Sequence, residues 1–109
     1  MLNIPHNVRL FLCQHPMNMR KSFEGLSLEV EKLFPGEILS GALFIFVNRR
    51  KNHVKVLTWD QDGFVIWFKR LEKGSFRVNW GEPSTLTRKE FFLVLEGITP
   101  KRLNKRFSL

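Results

Sequence analysis

The chain has 109 residues, 43% of them hydrophobic and including eleven Phe and three Trp, enough apolar area for one buried core and too much for a disordered polyelectrolyte. Eighteen Lys and Arg against ten Asp and Glu leave a formal charge of +8, which points to polyanionic partners. No apolar run approaches the ~20 residues of a spanning helix, the first residues show no signal-peptide pattern, and the single Cys13 has no internal partner, so no membrane association is expected and the cytoplasm is the expected compartment.

In chain order, residues 8–13 (VRLFLC) read as a strand with Arg9 on one face and Val8, Leu10 and Leu12 on the other, ended by Pro16. Met19, Phe23, Leu26, Val30 and Leu33 follow at spacings of 4, 3, 4 and 3, the apolar stripe of a helix of about four turns with Asn18 as its N-cap and Pro35-Gly36 as its stop. Gly25 costs such a helix about 1 kcal/mol relative to Ala, so close packing on a sheet is expected there. Arg20 and Lys21 fall in the first turn, where the macrodipole already makes the helix end positive. Two readings stay open: an ion pair from Arg20 to Glu24, or an anion such as a DNA phosphate held by the free N–H groups and both side chains.

The runs Leu43–Val47, 54–59 and 64–68 are short, β-branched and aromatic, and they are bounded by a basic turn and by Asp60-Gln-Asp-Gly63. They predict an antiparallel meander, in which the 48–52 turn and the 69–74 segment share one end of the sheet while Asp60 and Asp62 mark the other. Arg49, Arg50, Lys51, Lys69, Arg70 and Lys73 therefore converge on one pole, diluted only by Glu72. The charge count agrees: residues 1–48 hold four groups of each sign, residues 49–77 hold eight basic and three acidic, and residues 78–109 hold six and three. Leu43, Ile45 and Val47 alternate with Phe44 and Phe46, so both faces of that strand need cover from helices or a partner chain.

Residues 75–80 are expected as a fourth meander strand and 81–84 as a loop. Thr87-Arg-Lys-Glu90 is a capping box with Leu86 stapling onto Phe91, opening a helix over Arg88–Glu96 that Gly97 stops in the αL conformation, with Pro100 beyond. Its Phe91, Phe92, Leu95 and Ile98 supply cover for the sheet. The tail 101–109 is basic, with Leu103 and Phe107 as one i,i+4 pair; it reads either as an arm that orders on binding or as fraying without a role. The fold class is thus α+β: a single domain over 1–100, an antiparallel β-meander of about four to five strands packed with two helices, followed by the tail.

Same-sign clustering on two neighbouring loop ends, with Phe and Trp nearby, is the pattern of phosphate contacts; the bland alternative is a solvated loop face. Asp60 and Asp62 are explained by turn chemistry, in which Asp bonds its own backbone and Gly63 permits a positive φ, whereas a catalytic metal needs carboxylates from separate elements. Cys13, His15, His6 and His53 lack zinc spacing, and neither a nucleophile elbow nor a Gly-rich phosphate loop occurs, so no metal, cofactor or catalytic residue is expected. Trp59 and Trp67 fall on strands, where core packing is the ordinary role and base stacking requires exposure.

With these residues laid out, the chain resembles the small accessory protein, called TnpB or Orf-two-like, of the bacterial insertion sequence sixty-six transposon family, unrelated to the RNA-guided nuclease that shares the TnpB name. The resemblance rests on Asn18-Met-Arg-Lys-Ser-Phe-Glu-Gly-Leu26, Ser40-Gly-Ala-Leu-Phe-Ile-Phe-Val-Asn-Arg-Arg50, Lys55-Val-Leu-Thr-Trp-Asp60, Gly63-Phe-Val-Ile-Trp-Phe-Lys-Arg-Leu-Glu72, Gly74-Ser-Phe76 and Leu95-Glu-Gly-Ile98. Asn18 stands where the family usually has Asp, and the family's tryptophan-proline ending after the 76 region is displaced to Trp80.

The resemblance implies a protein encoded beside a larger transposase, needed for efficient transposition and without established catalysis of its own. It carries over no binding residues. The expectation is a non-enzymatic accessory factor in transposition whose pole, with Arg20 and Lys21, meets DNA phosphates, at transposon ends or non-specifically. The alternative is an assembly protein for the cognate transposase or another transposon-encoded subunit, without direct DNA contact. A metal nuclease using Asp60 and Asp62 ranks last, and the oligomeric state stays open.

Overall fold

The computed structural model describes Ile4, residues 7–81 and residues 84–97. Its elements are β1 (Leu10–Leu12), α1 (Phe23–Leu33), β2 (Leu43–Val47), β3 (His53–Asp60), β4 (Gly63–Arg70), β5 (Thr85–Leu86) and α2 (Arg88–Glu96). The expected tail 101–109, together with Ile98 and Pro100, lies outside the described residues.

One five-stranded sheet runs in the order β4-β3-β2-β1-β5. The β2-β3-β4 meander is antiparallel, with Val47 opposite Val54 and His53 opposite Arg70. The sheet as a whole is mixed, which corrects the purely antiparallel expectation: β1 pairs with β2 in parallel, Leu10 opposite Leu43, because a helical crossover through α1 returns the chain in its original direction. The remaining strand is also not where the sequence placed it. Residues 75–80 form no strand; they run as a covering segment that buries Phe76 and Val78, and the fifth strand is the two-residue β5, antiparallel to β1.

All five residues of β2 are buried, so the central strand requires apolar side chains on both faces. On one face Phe44, Phe46 and Leu57 pack with Leu26 and Val30 of α1 and with Cys13 and Met17. On the other, Leu43, Ile45, Val47, Val54 and Val56 pack with Phe91, Val94 and Leu95 of α2. Each helix covers one face, as the alternation in β2 required.

The second helix begins as its sequence dictates. Thr87 Oγ1 accepts a hydrogen bond from Glu90 N–H (3.1 Å), and Glu90 Oε1 accepts one from Thr87 N–H (2.8 Å). The bond from the Thr87 backbone N–H, with a further one from the Thr87 side chain, holds the Glu90 carboxyl below the usual carboxylate range. Gly97 ends α2 at φ 75 and ψ 141, a positive φ but an extended ψ rather than the αL stop expected. A Cβ there would also lie 2.8 Å from Leu71 Cδ2, so the position excludes side chains twice over.

The first helix is shorter than its apolar stripe. It starts at Phe23 with Ser22 as N-cap, and Asn18 instead closes a separate turn, its Oδ1 accepting from Arg20 N–H at 2.9 Å and its carbonyl from Lys21 N–H at 3.1 Å. The cause lies on β3. Lys55 Nζ donates to the carbonyls of Met19 and Lys21, each at 2.8 Å, and takes up acceptors that a longer helix would have used for its own N–H groups. Phe23, now the first helical residue, is 45% exposed rather than part of the core. Gly25 does not meet the sheet either: a Cβ there would lie 3.2 Å from the Lys21 side chain.

Candidate nucleic-acid interface

The basic end of the sheet is assembled from three chain segments. In the β2–β3 turn, Asn48 Oδ1 accepts from the backbone N–H of Asn52 (3.0 Å) and of His53 (2.9 Å), while Lys51 takes a φ of 59. His53 Nδ1 lies 2.9 Å from Asn52 Oδ1 and 3.2 Å from Asn48 Nδ2, donating to the first when it carries the proton and accepting from the second when it does not. The segment after β4 is tied to this turn by Leu71 N–H to Asn52 O (2.8 Å) and Phe76 N–H to Lys51 O (2.7 Å). The third segment, before α1, joins through Met17 N–H to Val47 O (2.9 Å) and through the Lys55 ammonium.

Between the first and third segments lies a groove of about 480 Å³, lined by Pro16, Met17, Asn18 and Met19 on one side and by Asn48, Arg49, Arg50 and His53 on the other. Among the described residues no carboxylate lines it.

The eight cations singled out by the sequence divide into two groups. Arg49, Arg50, Lys73 and Arg20 are exposed, and among the described residues none of them pairs with a carboxylate. The other four are engaged. Lys51 sits 4.7 Å above the Trp80 ring, Lys69 Nζ donates to Leu95 O in the last turn of α2 (3.1 Å), and Arg70 pairs with Glu72 at 3.0 Å in full solvent. Lys21 bonds Glu29 Oε1 at 2.8 Å rather than a ligand, and that bond is the main reason the Glu29 carboxyl titrates below its ordinary range. Arg20 does not reach Glu24, and neither Arg20 nor Lys21 belongs to a helical first turn, so the helix-terminus argument for an anion no longer applies to them.

Several contributors to this site carry no local signal. Asn48 and His53 lock the turn and Lys55 braces the turn at Met19, yet in sequence they are one loop Asn, one His and one strand Lys. Lys55 is 8% exposed with no carboxylate partner among the described residues, its ammonium bonded to the two carbonyls and 5.2 Å from the Phe68 ring. In the alternation Val54-Lys55-Val56 the Lys falls on the face opposite the two Val, so its neighbours in sequence do not signal its burial.

The acidic end is simpler. Asp60 opposes Gly63 and both Asp60 and Asp62 are exposed. The positive φ of 58 belongs to Gln61 and not to Gly63, which opens β4. Trp59, at this end, packs edge-on against Phe64 at 5.0 Å, and Trp67 is half-buried against the α2-side core. Cys13 is buried, which pushes its thiol up, and it donates to His15 O. Among the described residues no three His, Cys, Asp or Glu side chains converge as metal ligands, and no helix is long and apolar enough to cross a membrane.

Fold and pole together define a small basic α+β domain that leaves Arg49 and Arg50 unpaired, among the described residues, at one end of its sheet. The chain belongs to the IS66 Orf2-like protein family, whose model matches residues 8–105. It is thereby a transposition-associated accessory protein of that insertion element, from a family not known for enzymatic activity. Among curated proteins it is 34% identical over 76 residues to "Uncharacterized protein y4hO" of Sinorhizobium fredii (strain NBRC 101917 / NGR234), an alignment covering 70% of this chain and 66% of that one. It is 23% identical over 108 residues to "Uncharacterized protein y4jC" of the same strain, covering 97% and 92%. No solved structure matches it.

Proposed function

We propose that the protein assists transposition by holding DNA through its basic pole and has no catalytic activity of its own. The observation that carries this reading is the groove beside Arg49 and Arg50, which combines two unpaired guanidinium groups with Asn18, Asn48 and His53 and is lined by no carboxylate. An ordinary solvated loop mixes charge signs; this one leaves its strongest phosphate donors unmatched. Lys73 and Arg20 extend the surface, while Lys51, Lys69, Arg70 and Lys21 hold its framework and add to its field. The ligand is the DNA backbone, at element ends or elsewhere, because phosphate contacts carry no sequence information by themselves.

The test is a DNA titration at rising salt. Each phosphate contact contributes about 0.9 to the slope of log K against log salt, so replacing Arg49, Arg50 and Lys51 together by Ala is expected to flatten that slope by about 2 to 3. Absence of binding at low salt, by the free protein and with its natural partners alike, overturns the proposal. A second reading, assembly with the transposase or another transposon-encoded subunit in the cytoplasm, draws on the exposed Phe23 and Leu28 of α1 and on Leu39, 45%, 58% and 60% accessible. A pull-down with the cognate transposase, with and without element-end DNA, separates the two.

A further inference from the structure

β4 is an edge strand, paired with β3 over all eight of its residues without a bulge, and nothing among the described residues covers its other edge. Leu71 N–H donates to Asn52 O, so by the alternation of an antiparallel ladder the odd-numbered residues of β4 bond to β3. The backbone N–H and C=O groups of Phe64, Ile66, Phe68 and Arg70 therefore point outward. Edge strands are ordinarily protected by Pro, a bulge or a central charge. Here the central residues are Phe64-Val-Ile-Trp-Phe68, with Val65 43% and Phe68 53% exposed, and the only charges lie at the strand's end.

We infer that β4 is a self-association edge: two copies of this chain pair β4 with β4 in antiparallel fashion about a two-fold axis at Ile66, joining their sheets. Two features of the strand select this occupant and register. Antiparallel pairing about an axis perpendicular to the sheet keeps each face continuous, so even-numbered residues oppose even and odd oppose odd. Centred on Ile66, it sets Phe64 opposite Phe68 of the second copy and Val65 opposite Trp67, apolar against apolar on both faces. It also brings Asp62, in the turn that precedes β4, near Arg70 of the second copy, twice by symmetry. A register centred on Trp67 would place Lys69 opposite Val65 and Arg70 opposite Phe64, and parallel pairing would bring like charges together. The basic end of β4, Lys69-Arg70, thus meets the acidic turn that precedes the strand only when the strands run oppositely. Arg49 and Arg50 stay clear of the junction, at the two far ends of the joined sheet.

This inference does not depend on DNA binding. It is tested by sedimentation velocity of the full chain over a micromolar dilution series, with the fold of each variant checked by its thermal transition. The wild type is expected to dimerise. Phe68→Pro removes an outward N–H and no bond to β3, and is expected to give a folded monomer. Asp62→Lys is expected to weaken the dimer about tenfold, since two exposed attractions become repulsions. Adding Arg70→Glu to Asp62→Lys is expected to restore it. A wild type that stays monomeric throughout, a dimer indifferent to folded Phe68→Pro, or a charge swap that does not rescue would each overturn the assignment.

Discussion

The two ends of the sheet solve different problems with very different amounts of chain. The acidic end closes a hairpin with two loop residues, and the backbone strain it needs falls on Gln61. The basic end fastens three segments to one another through Asn48, Lys55, Asn52 and Lys51 while leaving Arg49 and Arg50 unpaired at its tip. A turn that only reverses the chain does not need a side-chain lock, a buried ammonium and two tertiary backbone bonds. The contrast indicates that the basic end is held in a defined shape, and the variants below are ordered by how strongly they should disturb one end and spare the other.

The largest effect is expected from Asn48→Ala, which strips the acceptor from two backbone N–H groups. At about 1 to 1.5 kcal/mol each, the loss is about 2 to 3 kcal/mol in chemical denaturation, with hydrogen exchange accelerating at Asn52 and His53 and not at Asp62. Next is Lys55→Met, which keeps the stem and leaves the carbonyls of Met19 and Lys21 without their donor. Relief of a buried charge offsets part of that cost, so about 2 kcal/mol is expected, together with loosening of residues 17–21 in exchange experiments. At the acidic end, Gln61→Gly relieves a positive φ and is expected to stabilise by about 1 kcal/mol, read as a higher Tm with DNA affinity unchanged.

The smallest effect concerns Glu29. Its folded-state titration lies below the unfolded value because the Lys21 ammonium donates to it, so its contribution is fully present above pH about 4.3 and is lost as pH falls through the lower folded value. Glu29→Gln should flatten that part of the Tm-against-pH curve. It should also free Lys21 and raise the salt dependence of DNA binding by up to about one contact, a result that Asp60→Asn would not produce.

The meander, its polar charge arrangement and the capping box of α2 were legible because each is written in neighbouring residues: alternating runs, breaker turns, and a Thr and Glu three apart. The need for cover on both faces of β2 was legible from five consecutive apolar residues. What escaped is non-local. β5 is two residues whose only strand credential is its pairing with β1, and the parallel partnership of β1 with β2 depends on where the crossover returns. The start of α1 was misplaced because its competitor, Lys55, lies 36 positions from Met19. The meander does carry the six cations to one end of the sheet, but their individual surroundings were not legible. Sequence brought six cations to one end, but which of them are unmatched depends on Trp80, Leu95 O and Glu72, and the groove wall at Met19 comes from a segment read as belonging to a helix.

The central claim, that the basic end rather than net charge holds DNA, is tested most directly by fluorescence anisotropy of labelled element-end DNA across a salt series. The wild type is compared with Arg49→Ala/Arg50→Ala and with Asp60→Asn/Asp62→Asn. Both variants alter charge by two, in opposite directions and at opposite ends of the same sheet. The predicted result is a slope shallower by about 1.8 for the arginine variant and unchanged for the aspartate variant. A slope that the loss of Arg49 and Arg50 leaves intact would contradict the account.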